Sequence, residues 1–378
     1  MRIALFTEVF TPKIDGVVTR LLRTLDALAG LGHEALVFAP GKPPCEYAGF
    51  EVVAVRGVSF RPWYPEITVA LPTPAIGRRL EHFRPDVVHA LNPAWLTGYG
   101  VLAAHRRRLP LLASLHTQLA AYTADLHLSA LTPIADRWVT TLHNMAQVNL
   151  CTSPQMVERA HSMGIQRVSL WPKAVDTHAF RPDAYTTRMR TLLTNGHPEA
   201  PLAVYVGRLS PEKNLDDLLE AARTLPGVRF AFVGSGPAAE HLASLYAGTN
   251  TVFTGYLHGE ELAAAYAAAD IFCFPSTTET LGLAGLEAMA SGTPVVGADA
   301  GGIPHLFHDG IEGFLVTPHD RGGFSRRIAE LADDPGLRSR MGQAARAEAE
   351  KHSWISATCR LVEFYEQAVA TMGTSGTR

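Results

Sequence analysis

One stretch in the second half of the chain decides the fold: residues 271–304 read IFCFPSTTETLGLAGLEAMASGTPVVGADAGGIP. The apolar run Ile271–Phe274 predicts a buried strand, and a polar loop follows it to Thr280. Residues 281–290 predict a helix of mostly small residues, and Val295–Val296 predicts the next strand. Strands and helices that alternate in this way belong to parallel sheets covered by helices. The stretch therefore predicts an α/β fold.

Two carboxylates bracket the predicted helix, Glu279 in the loop before it and Glu287 near its far end. Glu279 follows the carboxyl end of a strand, which is the edge where open α/β sheets bind ligands. We expect the amides of Leu281, Gly282 and Leu283 to lack intrahelical acceptors at the helix start, where the dipole favours phosphate. Gly282 would also let an anion approach the backbone. The pattern predicts sugar hydroxyls at Glu279, a diphosphate at the helix start and a ribose at Glu287.

Glu279 and Glu287 have two other interpretations. As surface residues they would be solvated, since glutamate is mostly exposed, but the residues around them are mainly apolar. As the acid and nucleophile of a glycosidase they would line a sugar cleft. That chemistry has no use for a phosphate-binding helix start between them. The nucleotide-sugar interpretation therefore fits the stretch best.

The spacing of Glu279 and Glu287, followed by the run GGIP at 301–304, resembles the signature of retaining glycosyltransferases of family four. The resemblance covers nearly the whole chain. It implies the GT-B architecture, an α/β fold in which two Rossmann-like, doubly wound domains face each other across a cleft. It also implies a nucleotide sugar as the donor substrate.

Length and one junction-like segment both indicate two domains. A chain of 378 residues exceeds one ordinary domain core. The segment 170–180, LWPKAVDTHAF, resembles the family's linker, with Ala174 where glycine is usual. The resemblance implies an acceptor-binding domain over 1–178 and a nucleotide-sugar-binding domain over 179–353. It further implies a last helix, 354–372, that crosses back onto the first domain.

The first half of the chain alternates strands and helices, as a doubly wound sheet requires. Its predicted strands are Ile3–Phe6, Ala35–Phe38, Glu51–Val55, Asp86–His89, Leu111–Ser114 and Val148–Thr152. A long loop after the first strand ends in the turn residues Asp15 and Gly16, next to the predicted helix Val17–Leu31. Phosphate can again bind at this helix start, so we expect Asp15 and Gly16 to contact substrate. A plain surface loop is the alternative.

His116 comes directly after the predicted strand Leu111–Ser114. A lone histidine is more often structural than catalytic. The position at a strand's carboxyl end nevertheless predicts that His116 faces the ligand. There it could donate to a sugar 6-hydroxyl or stabilise charge at the reacting carbon. The dipeptide His116-Thr117 also resembles a family motif, which implies the same role.

The second half repeats the alternation, and its strand Leu202–Val206 ends at Gly207-Arg208. Arg208 and Lys213 are predicted catalytic residues, since a guanidinium suits bidentate contact with phosphate and an ammonium suits a point-charge contact. Two surface cations are the alternative. Tyr256 follows another predicted strand, where the resemblance implies that the nucleotide base is held. The run Gly-Ser-Gly at 234–236 lacks the spacing of a dinucleotide fingerprint and indicates NAD only weakly.

Composition indicates where the protein works. Met1 leads into a predicted strand and no long apolar run occurs, so neither a secretory signal nor a membrane span is expected. Residues 1–180 carry 17 Lys/Arg against 13 Asp/Glu, whereas residues 181–378 carry 16 against 23. The cationic half therefore favours contact with something negative, such as a membrane surface. A chance imbalance on a solvated face is the alternative.

The arginines of the first half have aromatic neighbours that favour a membrane interface. Trp63 and Tyr64 lie near Arg56 and Arg61, and these aromatic types favour the headgroup region. Further arginines nearby are Arg78, Arg79, Arg84, Arg106, Arg107 and Arg108. We expect peripheral binding of a cytoplasmic enzyme to the inner face of the membrane.

Two branches of the family share motifs with this chain. The runs TPKIDGVV at 11–18 and GHEA at 32–35 resemble phosphatidylinositol and other lipid mannosyltransferases, which take GDP-mannose. The runs at 170–176, 189–202 and 279–283 resemble sulfolipid synthases, which transfer sulfoquinovose from UDP to diacylglycerol. The longer matches favour the second branch. No Lys or Arg follows His116 before residue 137, so a neutral or uronic sugar is the alternative to the sulfonated one.

The sequence thus predicts a retaining hexosyltransferase that moves a sugar from UDP to a lipid such as diacylglycerol. No Asp-x-Asp pair occurs, so we expect no metal and no other cofactor. The expected partners are the donor, the lipid acceptor and an anionic membrane surface, with no nucleic acid. The alternatives are a GDP-mannose-dependent alpha-mannosyltransferase, a non-catalytic nucleotide-sugar-binding protein and, least favoured, a nicotinamide-dependent oxidoreductase.

Overall fold

The computed structural model describes residues 1–12, 16–60, 64–70, 73–116 and 132–375. Within them, the side chains of 58–60, 64–69, 132 and 374–375 lie outside the description. The chain divides into two compact units. Unit 1 combines Met1–Pro172 with Trp354–Arg378, and unit 2 is Lys173–Ser353. This division falls slightly before the domain boundary that the sequence places after residue 178.

Unit 1 contains a sheet of eight strands. These are β1 (Arg2–Thr7), β2 (Glu34–Pro40), β3 (Glu46–Tyr47), β4 (Phe50–Val55), β7 (Val87–Leu91), β8 (Leu111–Leu115), β9 (Val148–Cys151) and β10 (Val168–Leu170). A separate antiparallel pair is formed by β5 (Gly57–Phe60) and β6 (Tyr64–Ala70). The described helices are α1 (Gly16–Gly30), α2 (Pro74–Phe83), α3 (Leu96–Arg106), α4 (Thr132–Asn144), α5 (Pro154–Ser162) and, from the C-terminus, α13 (Trp354–Ser375).

The strand order in unit 1 is β10-β9-β8-β7-β1-β2-β4-β3, and only the β3/β4 pairing is antiparallel. β1 pairs with β2 on one side and with β7 on the other, so the strand order reverses at β1. Ligands of open α/β sheets bind at the carboxyl ends of the strands near such a reversal. Unit 1 therefore has one preferred binding edge, at the ends of β1, β7 and β8.

Helix α13 returns to the first unit, and its apolar stripe explains why. Leu361, Phe364, Tyr365 and Ala368 recur at helical spacing and are all buried in the core of unit 1. Helix α13 packs beside α1 and against the strands β7, β8 and β9. The sequence pattern of a last helix with one apolar face agrees with this packing.

Unit 2 contains a sheet of six strands. These are β11 (Leu202–Val206), β12 (Arg229–Val233), β13 (Thr251–Gly255), β14 (Ile271–Phe274), β15 (Val295–Ala298) and β16 (Gly313–Val316). The helices are α6 (Thr187–Leu193), α7 (Leu219–Thr224), α8 (Ala239–Leu245), α9 (Gly259–Ala268), α10 (Leu283–Ala290), α11 (Arg321–Asp333) and α12 (Pro335–Ala349). Short 3-10 turns occur at Pro182–Ala184, Pro211–Lys213, Leu215–Leu218 and Ile303–His305.

All pairings in the sheet of unit 2 are parallel, in the order β13-β12-β11-β14-β15-β16. β11 and β14 are buried along their whole length, as expected of strands that are covered on both faces. The strand order reverses between these two, because β11 leads to β12 on one side and β14 leads to β15 on the other. The predicted fold class is confirmed: the chain forms two parallel-sheet α/β domains.

Candidate functional site

The reversal point of unit 2 brings two of the predicted functional segments together. β11 and β14 are neighbours, with Ala203 opposite Ile271 and Val204 opposite Phe272. Parallel strands end at the same edge of a sheet. The loop after β11, which carries Arg208 and Lys213, therefore lies beside the loop after β14.

Lys213 and Glu279 form an ion pair across these two loops. Lys213 Nζ lies 2.6 Å from Glu279 Oε1, and the two side chains are only 19% and 18% exposed. Asn214 takes the left-handed conformation, with φ 51°, and ends the turn that carries Lys213. Its amide nitrogen Nδ2 donates to Thr277 Oγ1 at 3.1 Å, which ties the same two loops a second time. The predicted catalytic cation and carboxylate are thus one charge-paired unit.

Two glycines hold the loop that carries Glu279. The Gly302 amide donates to the carbonyl oxygen of Glu279 at 2.6 Å. A Cβ at Gly302 would lie 2.4 Å from the carbonyl oxygen of Thr280, and one at Gly301 would lie 2.7 Å from that of Glu279. Neither position has room for a side chain. The GGIP run therefore serves to bring two stretches of backbone into contact and to fix Glu279.

Helix α10 starts two residues later than its sequence predicts. Gly282 is the N-cap in the left-handed conformation, with φ 65°, and the helix begins at Leu283. The predicted start at Leu281 is wrong, because the chain must turn through Gly282 before helical dihedrals begin. A Cβ at Gly282 would lie 2.6 Å from Leu306 Cδ1. Leu281 and Gly282 thus precede the helix, and Leu283 is its first residue, whose amide has no intrahelical acceptor.

Glu287 is held by a tyrosine from the preceding helix. The Tyr266 hydroxyl in α9 donates to Glu287 Oε2 at 2.8 Å. Tyr266 is fully buried, and burial first and the Glu287 carboxylate second raise the pKa of its phenol. The hydroxyl therefore stays protonated and can only donate to the carboxylate. The sequence gives no sign of this role for Tyr266, since nothing local to residues 259–268 indicates a partner for Glu287.

Arg208 lies at the end of β11 and is exposed. Its backbone is fixed, because the Tyr205 hydroxyl donates to the carbonyl oxygen of Arg208 at 3.0 Å. The adjacent Gly207 approaches Gly234 so closely that a Cβ on Gly234 would lie 1.9 Å from the Gly207 carbonyl oxygen. The Gly-Ser-Gly run thus packs β12 against β11. In the described part of the chain, no carboxylate pairs with the Arg208 guanidinium.

Tyr256 lies just after β13 and is 58% exposed. Its hydroxyl donates to the carbonyl oxygen of Ser235 at 2.9 Å. Its ring stacks on that of His258, with centroids 6.2 Å apart and planes inclined by 20°. Tyr256 thus presents an accessible aromatic face next to the Gly-Ser-Gly run, at the same sheet edge.

The remaining predicted residues belong to unit 1. Gly16 is the first residue of α1, whereas Asp15 and Thr117 lie outside the described residues. His116 follows β8 and is only 3% exposed. Its Nε2 lies 2.8 Å from Ser114 Oγ, and its amide donates to Asn92 Oδ1 at 3.3 Å. The sequence predicts a ligand-facing histidine, and it does not indicate that a buried serine holds the side chain on one side.

Burial keeps the His116 imidazole neutral. Burial is the main cause that lowers the pKa of its imidazole well below 6.5, and the positive charge of Arg20 lowers it further. A neutral imidazole has one N–H donor and one acceptor nitrogen. His116 can thus serve as a hydrogen-bond donor at neutral pH, but not as a cation.

No group of three or more His, Cys, Asp or Glu side chains suited to a metal ion occurs within the described ranges. The predicted metal independence is not tested by this observation and stays a prediction. Arg208 and Lys213 are the cations of the two loops at this edge.

Two family models match consecutive parts of the chain. The model described as Glycosyltransferase Family 4 matches residues 14–179, and the model described as Glycosyl transferases group 1 matches residues 194–348. The first match falls in unit 1 apart from its last few residues, and the second falls in unit 2.

Relatives and solved structures agree with these matches. Sulfoquinovosyl transferase SQD2 of Arabidopsis thaliana is 36% identical over 95% of this chain and 72% of its own. A GDP-mannose-dependent alpha-mannosyltransferase of Mycobacterium tuberculosis is 35% identical over 97% of this chain and 96% of its own. Sucrose-phosphate synthase from Thermosynechococcus elongatus has a TM-score of 0.80 at 20% identity, covering 98% of this chain and 99% of that one. HepE of Anabaena, solved in complex with UDP, has a TM-score of 0.78 at 20% identity, covering 97% and 100%.

The solved structures establish the fold alone, and the identities to the relatives establish the family. The ion pair, the fixed glutamate loop and the helix start lie in the part of the chain that the group 1 model covers. The chain belongs to the family 4 glycosyltransferases of GT-B fold, which use a nucleotide sugar as the donor.

Proposed function

We propose that this chain is a retaining glycosyltransferase that moves a sugar from UDP to a lipid acceptor such as diacylglycerol. The observation that carries the proposal is the Lys213–Glu279 ion pair at the reversal point of unit 2. It places a cation and a carboxylate side by side at the edge where open sheets bind ligands. A phosphate and a sugar hydroxyl are the groups that such a pair would bind together.

The leaving diphosphate gains negative charge as the bond between the sugar carbon and the phosphate oxygen breaks. An ammonium has three N–H donors, and Glu279 accepts from only one of them. Lys213 can therefore contact a phosphate while it keeps Glu279 in place. Arg208 and the first amides of α10 add further positive potential at the same edge. These groups would supply the charge stabilisation that a metal supplies in other transferases.

The two glutamates take different parts in the proposal. Glu279, fixed by Lys213 and by the glycine contacts, would accept hydrogen bonds from hydroxyls of the transferred sugar. Glu287, whose carboxylate Tyr266 orients, would accept hydrogen bonds from the ribose hydroxyls. The acceptor hydroxyl oxygen would bond to the sugar carbon, and its proton would pass to the leaving phosphate.

The choice of UDP and diacylglycerol rests on similarity to the sulfoquinovosyl transferase SQD2, the relative with 36% identity. A second candidate is a GDP-mannose-dependent alpha-mannosyltransferase. The mycobacterial enzyme of that name favours it, because this chain covers 96% of that enzyme but only 72% of the plant one. A non-catalytic nucleotide-sugar-binding protein is the candidate of another class, and the charge-paired unit at the sheet edge disfavours it.

Thermal shift with a panel of UDP- and GDP-sugars separates the donor candidates, since a ligand that binds only the folded state raises its apparent stability. We expect UDP-sugars to raise Tm more than GDP-mannose at equal concentration. A larger shift with GDP-mannose would favour the mannosyltransferase. Slow hydrolysis of the preferred donor would exclude the purely binding protein.

Peripheral membrane contact is part of the same proposal. No helix in the described parts of the chain is long and apolar enough to cross a bilayer. Two of the arginines that the sequence predicts at the membrane surface form ion pairs. Arg79 pairs with Glu51 and Arg107 pairs with Glu81, each at 2.9 Å. These pairs reduce the charge available to a lipid surface. The predicted residues Arg61 and Trp63, and the side chain of Tyr64, lie outside the description.

Vesicle sedimentation tests the membrane contact. We expect co-sedimentation with anionic vesicles at low salt, and release at high salt, because such attractions are screened over about 8 Å at physiological ionic strength. Neutral vesicles are the control. Equal recovery in the supernatant in all conditions would contradict the proposal.

A further inference from the structure

A chain of four buried side chains in unit 1 links helix α13 to His116. The Tyr365 hydroxyl lies 2.8 Å from His89 Nδ1, and His89 Nε2 lies 2.9 Å from Ser114 Oγ. Ser114 Oγ lies 2.8 Å from His116 Nε2. Tyr365, His89 and Ser114 are all fully buried. These residues come from α13, β7 and β8 and from the position just after β8, so the hydrogen-bond chain runs through the core of unit 1 from the C-terminal helix to the carboxyl end of β8.

Tyr365 sets the direction of these hydrogen bonds. Its hydroxyl has no other hydrogen-bond partner among the described residues. A buried O–H that does not donate loses the hydrogen bond that it makes to water in the unfolded chain, and nothing replaces that bond. The hydroxyl must therefore donate to His89 Nδ1, and it stays protonated because burial raises the pKa of its phenol. His89 consequently carries its own proton on Nε2 and donates it to Ser114 Oγ.

The Ser114 hydroxyl determines which nitrogen of His116 accepts a hydrogen bond. A serine hydroxyl has one proton to donate. Since Ser114 Oγ accepts from His89 Nε2, its proton is directed to the other neighbour, His116 Nε2. His116 Nε2 is then an acceptor, and the single proton of the neutral imidazole is on Nδ1. In the described part of the chain, His116 Nδ1 has no protein partner and can serve a ligand.

Burial and the charge of Arg20 keep the two imidazoles neutral. The guanidinium of Arg20 lies over the Trp171 ring, 3.9 Å from its centroid, and Trp171 contacts the rings of both His89 and His116. Burial first and the charge of Arg20 second lower the pKa of His89 to about 3. A second proton on either histidine is thus disfavoured. The donor-to-acceptor direction of the hydrogen bonds from Tyr365 to His116 therefore persists at neutral pH.

We propose that Tyr365, acting through His89 and Ser114, is a positioning residue that holds His116 as its Nδ1–H tautomer. This nitrogen then donates to a hydroxyl oxygen of the transferred sugar. The inference rests on the proposed function only for that last step. The tautomer itself follows from the four side chains and can be measured without any substrate.

Nuclear magnetic resonance on the full chain tests the tautomer directly. The protein has 16 histidines, so the ring signals of His116 and His89 are assigned by their loss in His116→Gln and His89→Gln. Long-range proton–nitrogen correlations distinguish a protonated ring nitrogen from a bare one. We expect protonated Nδ1 for His116 and protonated Nε2 for His89. A proton on His116 Nε2 in the unmodified protein would overturn the proposal.

Two variants test the donor-to-acceptor direction of the hydrogen bonds that link Tyr365 to His116. In Tyr365→Phe the donor is gone, so we expect both histidines to show mixed tautomers. In Ser114→Ala the link is cut, so His116 should become mixed while His89, still held by Tyr365, keeps its proton on Nε2. Tyr47→Phe removes a tyrosine hydrogen bond to Asp26 elsewhere in unit 1 and should change neither signal. An unchanged His116 signal in both test variants would contradict the proposal, and Ser114→Ala decides alone if Tyr365→Phe does not fold.

Kinetics connect the tautomer with the reaction. We expect Tyr365→Phe to lower kcat about fivefold at unchanged donor KM. The reason is that the preference of His116 for the Nδ1–H tautomer, which is about the strength of one hydrogen bond, is lost. A purely structural effect would lower the folded fraction and leave the tautomer ratio unchanged. If His116→Gln retains full kcat, the assigned role of His116 in transfer fails, whereas the tautomer result stands or falls on the spectra.

Discussion

The Lys213–Glu279 ion pair predicts that the two residues act as one unit, and a double-mutant cycle measures this. The side chains are 2.6 Å apart and less than one-fifth exposed. Each single change to alanine should lower kcat/KM by about 10²–10³-fold. This is the loss typically seen when a preorganised group that stabilises charge in the transition state is removed. Each single variant also leaves the partner charge unpaired. Independent effects would multiply in the double variant.

The structure predicts that they do not multiply. Residues in direct contact couple by about 0.5–3 kcal/mol, and a pair this short and this shielded belongs in the upper part of that range. With a coupling free energy of about 2 kcal/mol, the double variant should be about 30-fold more active than the product of the two single losses predicts. The assay is kcat/KM for the donor in Lys213→Ala, Glu279→Ala and the double variant.

The surface pair Arg327–Glu330 provides the matched control in the same unit. Its atoms are 2.7 Å apart, but its side chains are 40% and 45% exposed. A cycle there should show a coupling in stability of about 0.3–0.5 kcal/mol and no effect on kcat/KM. Additivity of the Lys213 and Glu279 effects within about 0.5 kcal/mol would refute the claim that the two act as one unit.

Four further predictions follow from the geometry. Arg208→Ala should lower kcat about 10²–10³-fold with little change in Tm, and activity within a few-fold of the unmodified protein would remove Arg208 from the mechanism. Excess EDTA should leave activity intact, whereas loss that added magnesium or manganese restores would contradict metal independence. Tyr266→Phe removes the donor to Glu287 and should raise donor KM about tenfold at nearly constant kcat; an equal fall in kcat would place Glu287 at the reacting carbon instead. Burial lowers the pKa of His89 to about 3 and of His143 to about 4, so below pH 6.5 the unfolded chain binds more protons. The free energy of unfolding in urea should therefore fall as the pH drops below 7, with a slope that approaches about 1.4 kcal/mol per pH unit for each histidine well below pH 6.5. No loss between pH 7 and 5 would be evidence against neutral buried histidines.

The elements that the sequence predicts well are those with a strong local pattern. β11 and β14 have the predicted bounds, because uninterrupted apolar runs between turn residues leave few alternatives. The start of α10 is displaced, since a left-handed glycine is not distinguishable from a helical one by its letter alone. β5 and β6 were not predicted, and neither run has the uninterrupted apolar character of the core strands.

The candidate site is predictable in its residues and not in its contacts. Glu279 and Lys213 were singled out separately, yet they are 66 positions apart and only the pairing of β11 with β14 brings them together. The partner of Glu287 comes from another helix. Tyr365 is 276 positions from His89, and the return of α13 to unit 1 alone explains their contact. Long-range contacts of this kind leave no local signal in composition or spacing.

Transfer of sugar to a lipid tests the central claim most directly. The full chain is incubated with an α-linked UDP-sugar and diacylglycerol vesicles, and the lipid phase is analysed by mass spectrometry and by the proton coupling at the anomeric carbon. We predict a glycolipid whose anomeric linkage remains α, formed together with one UDP per sugar and lost in the Lys213→Ala, Glu279→Ala double variant. Release of free sugar without any glycolipid, or a product with the inverted linkage, would contradict the account.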